Sequence, residues 1–274
     1  MSSTPHQGEQ ALKPVNTISR RFPTFRSVTA LMMREMSTTY GRSMGGYIWI
    51  VIEPVAGIIL LTLLFSAVLR TPPIGVNFAI FYATGMVPFM YYNSLAGKIA
   101  QAIQFSRPLL VYPAVTLIDA LIARAIVTCL TGLLVGYVIF FSIMTLNETR
   151  TNPQLLVIGQ AYLMATVFGL GVGTMNSFLF ARFPSWQTIW SVINRPMLLI
   201  SCVIFIYDDV PQPYDDMLWW NPIVHIVGEM RRGFYLNYPG QYVSPLYVYS
   251  VSFILLTLGL ALLLRYHRKI LYEW

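Results

Sequence analysis

Residues 46–65 read GYIWIVIEPVAGIILLTLLF, and whether this run crosses a bilayer decides the fold. It is long enough: about 20 apolar residues in a helix span the hydrocarbon core. The obstacle is Glu53, followed by Pro54. A carboxylate at mid-bilayer costs about 2.5–3.5 kcal/mol, so such a residue either serves a function or sits near the membrane edge.

Composition settles the environment. The 274 residues are 56% hydrophobic and 11% charged, against roughly 25% charged in a soluble domain. Mean hydropathy is +0.60. The chain reads as an all-α polytopic membrane protein whose length suits about six helical spans. Its net charge of +7 does not make a nucleic-acid binder, because the basic residues are distributed over particular loops rather than gathered in one patch. Cys129 and Cys202 fall in different apolar runs and read as small packing residues. No cleavable signal is visible, since the first apolar run begins after about 45 residues.

Around the opening stretch the chain divides as follows. Residues 1–21 are polar and read as a disordered cytoplasmic tail, and 22–274 form one transmembrane domain. In 22–41, Phe25, Val28, Met32, Met36 and Tyr40 recur at helical spacing, with Arg26, Arg34 and Glu35 elsewhere on the wheel. This predicts an amphipathic helix in the interface plane, the alternative being a helix packed on a soluble partner. Spans are expected near 47–69, 78–97, 118–144, 154–180, 188–207 and 246–265, the fifth interrupted by Arg195-Pro196. Lysine and arginine dominate the first segment, the loops after the second and fourth spans, and the end of the chain. Both termini are therefore expected in the cytoplasm. Residues 98–117 form a proline-punctuated cytoplasmic connection. The apolar but broken external segment 208–245 reads as short re-entrant helices, a form tolerated only where protein or a water-filled cavity surrounds it.

Motifs for chemistry are scarce. No GxxxxGK[ST] occurs, so any ATP is bound by another chain. Three histidines without HExxH give no metal cluster, and no nucleophile elbow appears. His225 and Glu229, one turn apart, suggest a structural hydrogen bond. Gly132xxxGly136 and Gly169xxxGly173 predict close helix packing within the chain. Arg124 and Arg195, inside apolar runs, either snorkel, find interhelical partners or line a polar path. Clustered Trp and Tyr form an interfacial belt, or faces on which sugar rings slide.

Four stretches in order along the chain carry a resemblance: TYGRSMGGYIWIVIEP (39–54), FYATGMVPF (81–89), SRPLLVYPAVTLIDALIAR (106–124) and LWWNPIVHIVGEMRRGF (218–234). From about residue 25 onward the chain resembles the ABC-2 type permeases of bacterial capsular polysaccharide exporters, with O-antigen and teichoic acid exporters as relatives. The resemblance implies an interface helix, six spans, a cytoplasmic coupling helix between spans two and three, and gate helices before the last span. It implies an inner-membrane homodimer bound to two copies of a separate ATPase, which holds the ATP and magnesium. No cofactor is expected on this chain. Lipid-linked polysaccharide would move outward between protomers toward a periplasmic adaptor and an outer-membrane exporter. Exporters of small lipids or drugs, and a membrane-embedded enzyme of envelope synthesis, are the alternatives. On this reading Gln104, Arg107, Pro108 and Leu109 contact the ATPase. Tyr91, Arg124, Trp219, Trp220, His225 and Arg231 line the path or gate. Glu53 and Pro54 form the elbow of the first span, the carboxylate near headgroup depth and bonded to the elbow or to an arginine.

Overall fold

The computed structural model describes residues 23–39, 46–110 and 116–272. The tail 1–21 and residues 40–45, between the first two helices, lie outside the described residues. Among the described residues ten α-helices follow one another: α1 (Pro23–Thr39), α2 (Gly46–Ser66), α3 (Phe78–Ala100), α4 (Ala102–Leu110), α5 (Leu117–Leu146), α6 (Leu155–Arg182), α7 (Pro184–Asn194), α8 (Tyr214–Trp219), α9 (Pro222–Phe234) and α10 (Pro245–Tyr272). Among the described residues four of these, α2, α5, α6 and α10, are long and apolar enough to cross a membrane.

The helix starts are written locally. The Asn77 side chain accepts from the Ala79 and Ile80 amides and caps α3, satisfying donors that the first turn leaves free. Thr116 and Asp119 exchange hydrogen bonds at 3.1 and 3.0 Å in a capping box that opens α5. Asp119 is thus a helix-start residue. Asn221 caps α9 and Pro222 takes its first position.

At the centre stands α3, packed on α6, α5, α9 and α2. From Ile80 to Phe89 every one of its residues is buried. Its absence from the strongly apolar set has a physical cause. A helix wrapped by other helices needs no lipid-facing surface, so it can carry Thr84, Asn93 and several tyrosines. At the other extreme is α2, of whose apolar stretch only 11% is buried within the chain. Its remaining surface must meet lipid or another subunit. Both glycine pairs pack inside the chain. A Cβ at Gly173 would lie 2.9 Å from the Ala96 carbonyl oxygen on α3, and one at Gly171 would lie 2.6 Å from that of Ser252 on α10. α6 therefore fits closely between α3 and α10.

Two expectations change. The segment 188–207 is not one helix: α7 ends at Asn194, a 3-10 turn covers Pro196–Leu198, and turns and bends continue to residue 205. Pro196 supplies no amide and its ring blocks the carbonyl one turn earlier, which stops α7. The inward face of α1 is also rotated. Leu31, with Val28 and Met32, packs on Ala120 and Ala123 of α5. Glu35 is buried on the same side, while Phe25 and Met36 are exposed. A neutralising partner on α5 makes the burial of Glu35 tolerable.

Candidate functional site

That partner is Arg124. Its Nε donates to Glu35 Oε1 at 3.0 Å, with both side chains almost wholly buried. Its Nη1 donates to the Lys98 carbonyl at the end of α3, also at 3.0 Å. The guanidinium lies 4.2 Å from the Phe105 ring centroid, and Arg34 approaches the same ring at 5.0 Å. Phe105 on α4 is therefore associated with two guanidiniums, one from α1 and one from α5. The arrangement joins four helices at the α4 end of the bundle. Arg124 turns away from the aromatic cluster with which sequence reasoning grouped it.

Beyond Phe105, α4 leaves Gln104 and Arg107 exposed. They line a cavity of about 230 Å³ with Phe180, Pro184, Gln187 and Ile270, drawn from α6, α7 and α10. The side chains of Pro108 and Leu109 lie outside the described residues.

At the opposite end, α8, α9 and the start of α10 build an aromatic node around His225. The amide of Ser244 donates to His225 Nδ1 at 3.1 Å, which fixes the proton on Nε2 for donation to the Trp219 carbonyl at 2.8 Å. Both ring nitrogens are thus committed to backbone, and the residue is fully buried. His225 is a clamp between the end of α8 and the approach to α10. It makes no bond to Glu229, which pairs with Arg232 at 2.9 Å. Burial pushes the His225 imidazole below its ordinary value, partly opposed by its backbone contacts. Trp219 stands edge-on to His225 at 5.1 Å and donates from its indole to the Tyr242 carbonyl at 3.2 Å. Tyr247 completes the node by donating to the Trp220 carbonyl at 2.7 Å.

Arg231 is fully buried as well. Its Nη1 and Nη2 donate to the carbonyls of Phe205 and Val203 at 2.9 and 3.0 Å, and its guanidinium lies over Phe81 of α3 at 4.5 Å. These carbonyls belong to the backbone that Pro196 and its neighbours removed from helical bonding. Unsatisfied carbonyls in a dry setting are costly, and Arg231 satisfies them. Sequence reasoning placed this arginine on the path or gate; the structure aims it at backbone.

Of the sequence-predicted gate residues, Trp220 is the open one, at 68% exposure. It borders a cavity of about 470 Å³ shared with Tyr92, Trp190, Met217, Asn221 and Ile223. Tyr92 stacks on Phe168 at 4.9 Å beside it. Tyr91, one position earlier and about 100° around the helix, instead bonds Thr166 at 2.7 Å. Tyr92 and Trp190 line this cavity, whereas Tyr91 lines the one beside Glu53, because adjacent residues of one helix cannot face the same side. An open cavity walled by aromatic and aliphatic side chains, with the Asn221 amide beside it, suits the apolar faces of sugar rings and imposes no single geometry on them.

Glu53 is exposed on α2, and Pro54 is buried beside it. α2 runs through both as one helix from Gly46. Among the described residues Glu53 has neither a hydrogen bond nor an ion pair.

Comparison with known proteins accords with this geometry. The family model for ABC-2 type transporters matches residues 26–235. The chain is 28% identical over 236 residues to the polysialic acid transport protein KpsM of Escherichia coli, covering 86% of this chain and 92% of that protein. It is 24% identical over 245 residues to the capsule polysaccharide export inner-membrane protein CtrC of Neisseria meningitidis, with 89% and 92% covered. To the O-antigen export system permease protein RfbA of Klebsiella pneumoniae it is 22% identical over 247 residues, with 87% and 91% covered.

Proposed function

The chain belongs to the ABC-2 type transporter family, and from that premise we propose that it is the permease subunit of an ATP-driven exporter carrying lipid-linked, acidic capsular polysaccharide across the bacterial inner membrane. The observation that carries this reading is similarity over nearly the whole chain to proteins named for polysaccharide export. The protein is a transport subunit, and a separate ATPase performs hydrolysis.

On this reading six spans are α2, α3, α5, α6, the broken segment from α7 to residue 206, and α10, with both termini cytoplasmic. Two copies pair, and each binds one ATPase subunit, which holds ATP and magnesium. Closure of the ATPases presses on α4 through Gln104, Arg107 and the neighbouring residues. The four-helix node at Phe105 passes that displacement to α1, α3 and α5. The polymer passes along the aromatic cavity of Tyr92, Trp190 and Trp220, at a gate braced by His225 and Arg231. A periplasmic adaptor and an outer-membrane exporter receive it.

Affinity purification in mild detergent, followed by an ATPase assay on the eluate, tests the reading. Two copies of this chain with two of an ATP-hydrolysing protein are expected. Repeated purification of the chain alone under several detergents would overturn it. The similarity to RfbA supports a second cargo, O-antigen. The polymer that accumulates inside a deletion strain discriminates the two.

A further inference from the structure

Among the described residues Glu53 is a carboxylate with no hydrogen-bond or ion-pair partner, and its surroundings say what it could hold. It lines a cavity of about 100 Å³ between α2, α3 and α5, together with Ser94, Tyr91, Thr128 and Thr131. The hydroxyls of Ser94 and Thr128, like the Glu53 carboxylate, make no hydrogen bond among the described residues. Thr131 donates to the Val127 carbonyl at 2.8 Å and keeps its accepting lone pairs. Tyr91 is committed to Thr166. Among the described residues no cationic side chain lines the cavity. The polar wall they form thus offers acceptors, one of them charged.

The cavity does not end there. Ile139 forms part of its wall and also part of the wall of a second cleft, about 300 Å³, farther along the same seam between α2 and α5. Its lining includes Val51, Val55, Ile58, Val138 and Ile143, and is overwhelmingly apolar. From Thr128 to Asn147 the seam follows α5 for about 28 Å at 1.5 Å per residue. Its polar end lies toward the start of α2 and α5, the cytoplasmic side in the orientation proposed above. A lipid of the inner leaflet has the same order, with its headgroup at the cytoplasmic interface and its chains running inward.

We propose that the α2–α5 seam is a binding site for a phospholipid with a primary-ammonium headgroup. The ammonium sits against Glu53, Ser94 and Thr128, and an acyl chain lies in the groove beyond Ile139. Three N–H donors and one positive charge match a carboxylate and neighbouring hydroxyl acceptors. A quaternary choline has no N–H to donate, and a glycerol headgroup has no positive charge.

The proposal rests only on the membrane-spanning part of the reading above. It can therefore fail or stand independently of whether an ATPase co-purifies. The full-length protein is reconstituted with equal amounts of phosphatidylethanolamine, phosphatidylcholine and phosphatidylglycerol of identical chains, extracted, and its retained lipids counted by native mass spectrometry. About tenfold preference for the ethanolamine lipid is expected. Glu53→Gln, isosteric and uncharged, is expected to reduce it below twofold, and Glu53→Asp to retain part of it. Val138→Trp, which obstructs the groove, is expected to lower retention of all three lipids. No headgroup preference in the wild-type protein, or the same preference in Glu53→Gln, overturns the proposal. So does efficient disulfide cross-linking between two copies through Glu53→Cys in membranes, because a second subunit would then occupy the seam.

Discussion

Removing one partner from the Glu35–Arg124 pair should cost far more than removing an exposed ion pair. The side chains are only 5% and 8% exposed, so neither charge can turn to water when the other is deleted. Loss of one member of a buried pair costs about 3–5 kcal/mol, most of it the desolvation of the charge left behind. Arg124→Gln also loses the bond to the Lys98 carbonyl and the contact with Phe105. At about 2–4 °C per kcal/mol for a large domain, each single neutral variant should lower Tm in detergent by about 6–20 °C. The double variant Glu35→Gln with Arg124→Gln removes both charges together, so it should be markedly less destabilised than the sum of the two. A double-mutant cycle followed by thiol-reactive dye unfolding reads both quantities. Single shifts below about 2 °C, or energies that add within about 0.5 kcal/mol, would refute the reasoning and reduce the pair to a surface-like contact.

Other outcomes follow from the same geometry. With the folded imidazole of His225 held below its ordinary value, the unfolded chain takes up a proton first as pH falls. The stability it contributes is full above about pH 6.5 and is lost as pH drops from there toward the folded value, so thermal scans from pH 8 to 5 should show a loss that His225→Gln flattens. Arg231→Met keeps the bulk but strands the Val203 and Phe205 carbonyls. At about 1–3 kcal/mol per unsatisfied group, limited proteolysis should cut earliest within residues 199–206. Gly173→Val brings side-chain atoms against α3 backbone; at least about 1–3 kcal/mol of overpacking should reduce the folded yield in membranes. Trp220→Ala, at an exposed ring, should leave Tm within about 2 °C while lowering surface polysaccharide in a complementation assay.

Legibility in the sequence followed locality. The break at Arg195-Pro196 could be read directly, because proline acts on its own helix. The capping box at Thr116 and Asp119 is equally local. What required the fold was every question of which way a side chain faces. Glu35 sits on the buried side of α1 only because Arg124, 89 positions later, reaches it. His225 and Glu229 have helical spacing that permits contact, yet His225 is taken by the Trp219 carbonyl and the Ser244 amide, and Glu229 by Arg232 three residues along the same helix. An interhelical partner was one of three alternatives for Arg124, and the choice among them, like the role of Arg231, was not legible because an arginine's donors look identical whether their acceptors belong to a ligand or to the protein. α3 was recognisable as a long helix, but its modest apolarity became intelligible only once its four surrounding helices were seen.

That central helix carries a consequence for how the protein is made. Chain order puts α3 after α2 and before α5, α6 and α9, so it leaves the ribosome when only one of its four neighbours exists. Until the rest are synthesised, its tyrosines, Thr84 and Asn93 face either the insertion machinery or lipid. In the six-span arrangement proposed above, its entry into the bilayer is then a delayed step, completed by α6 and α9 arriving more than 50 residues later. Truncated nascent chains ending before α6 should hold α3 at the translocon, and those extending past α9 should release it.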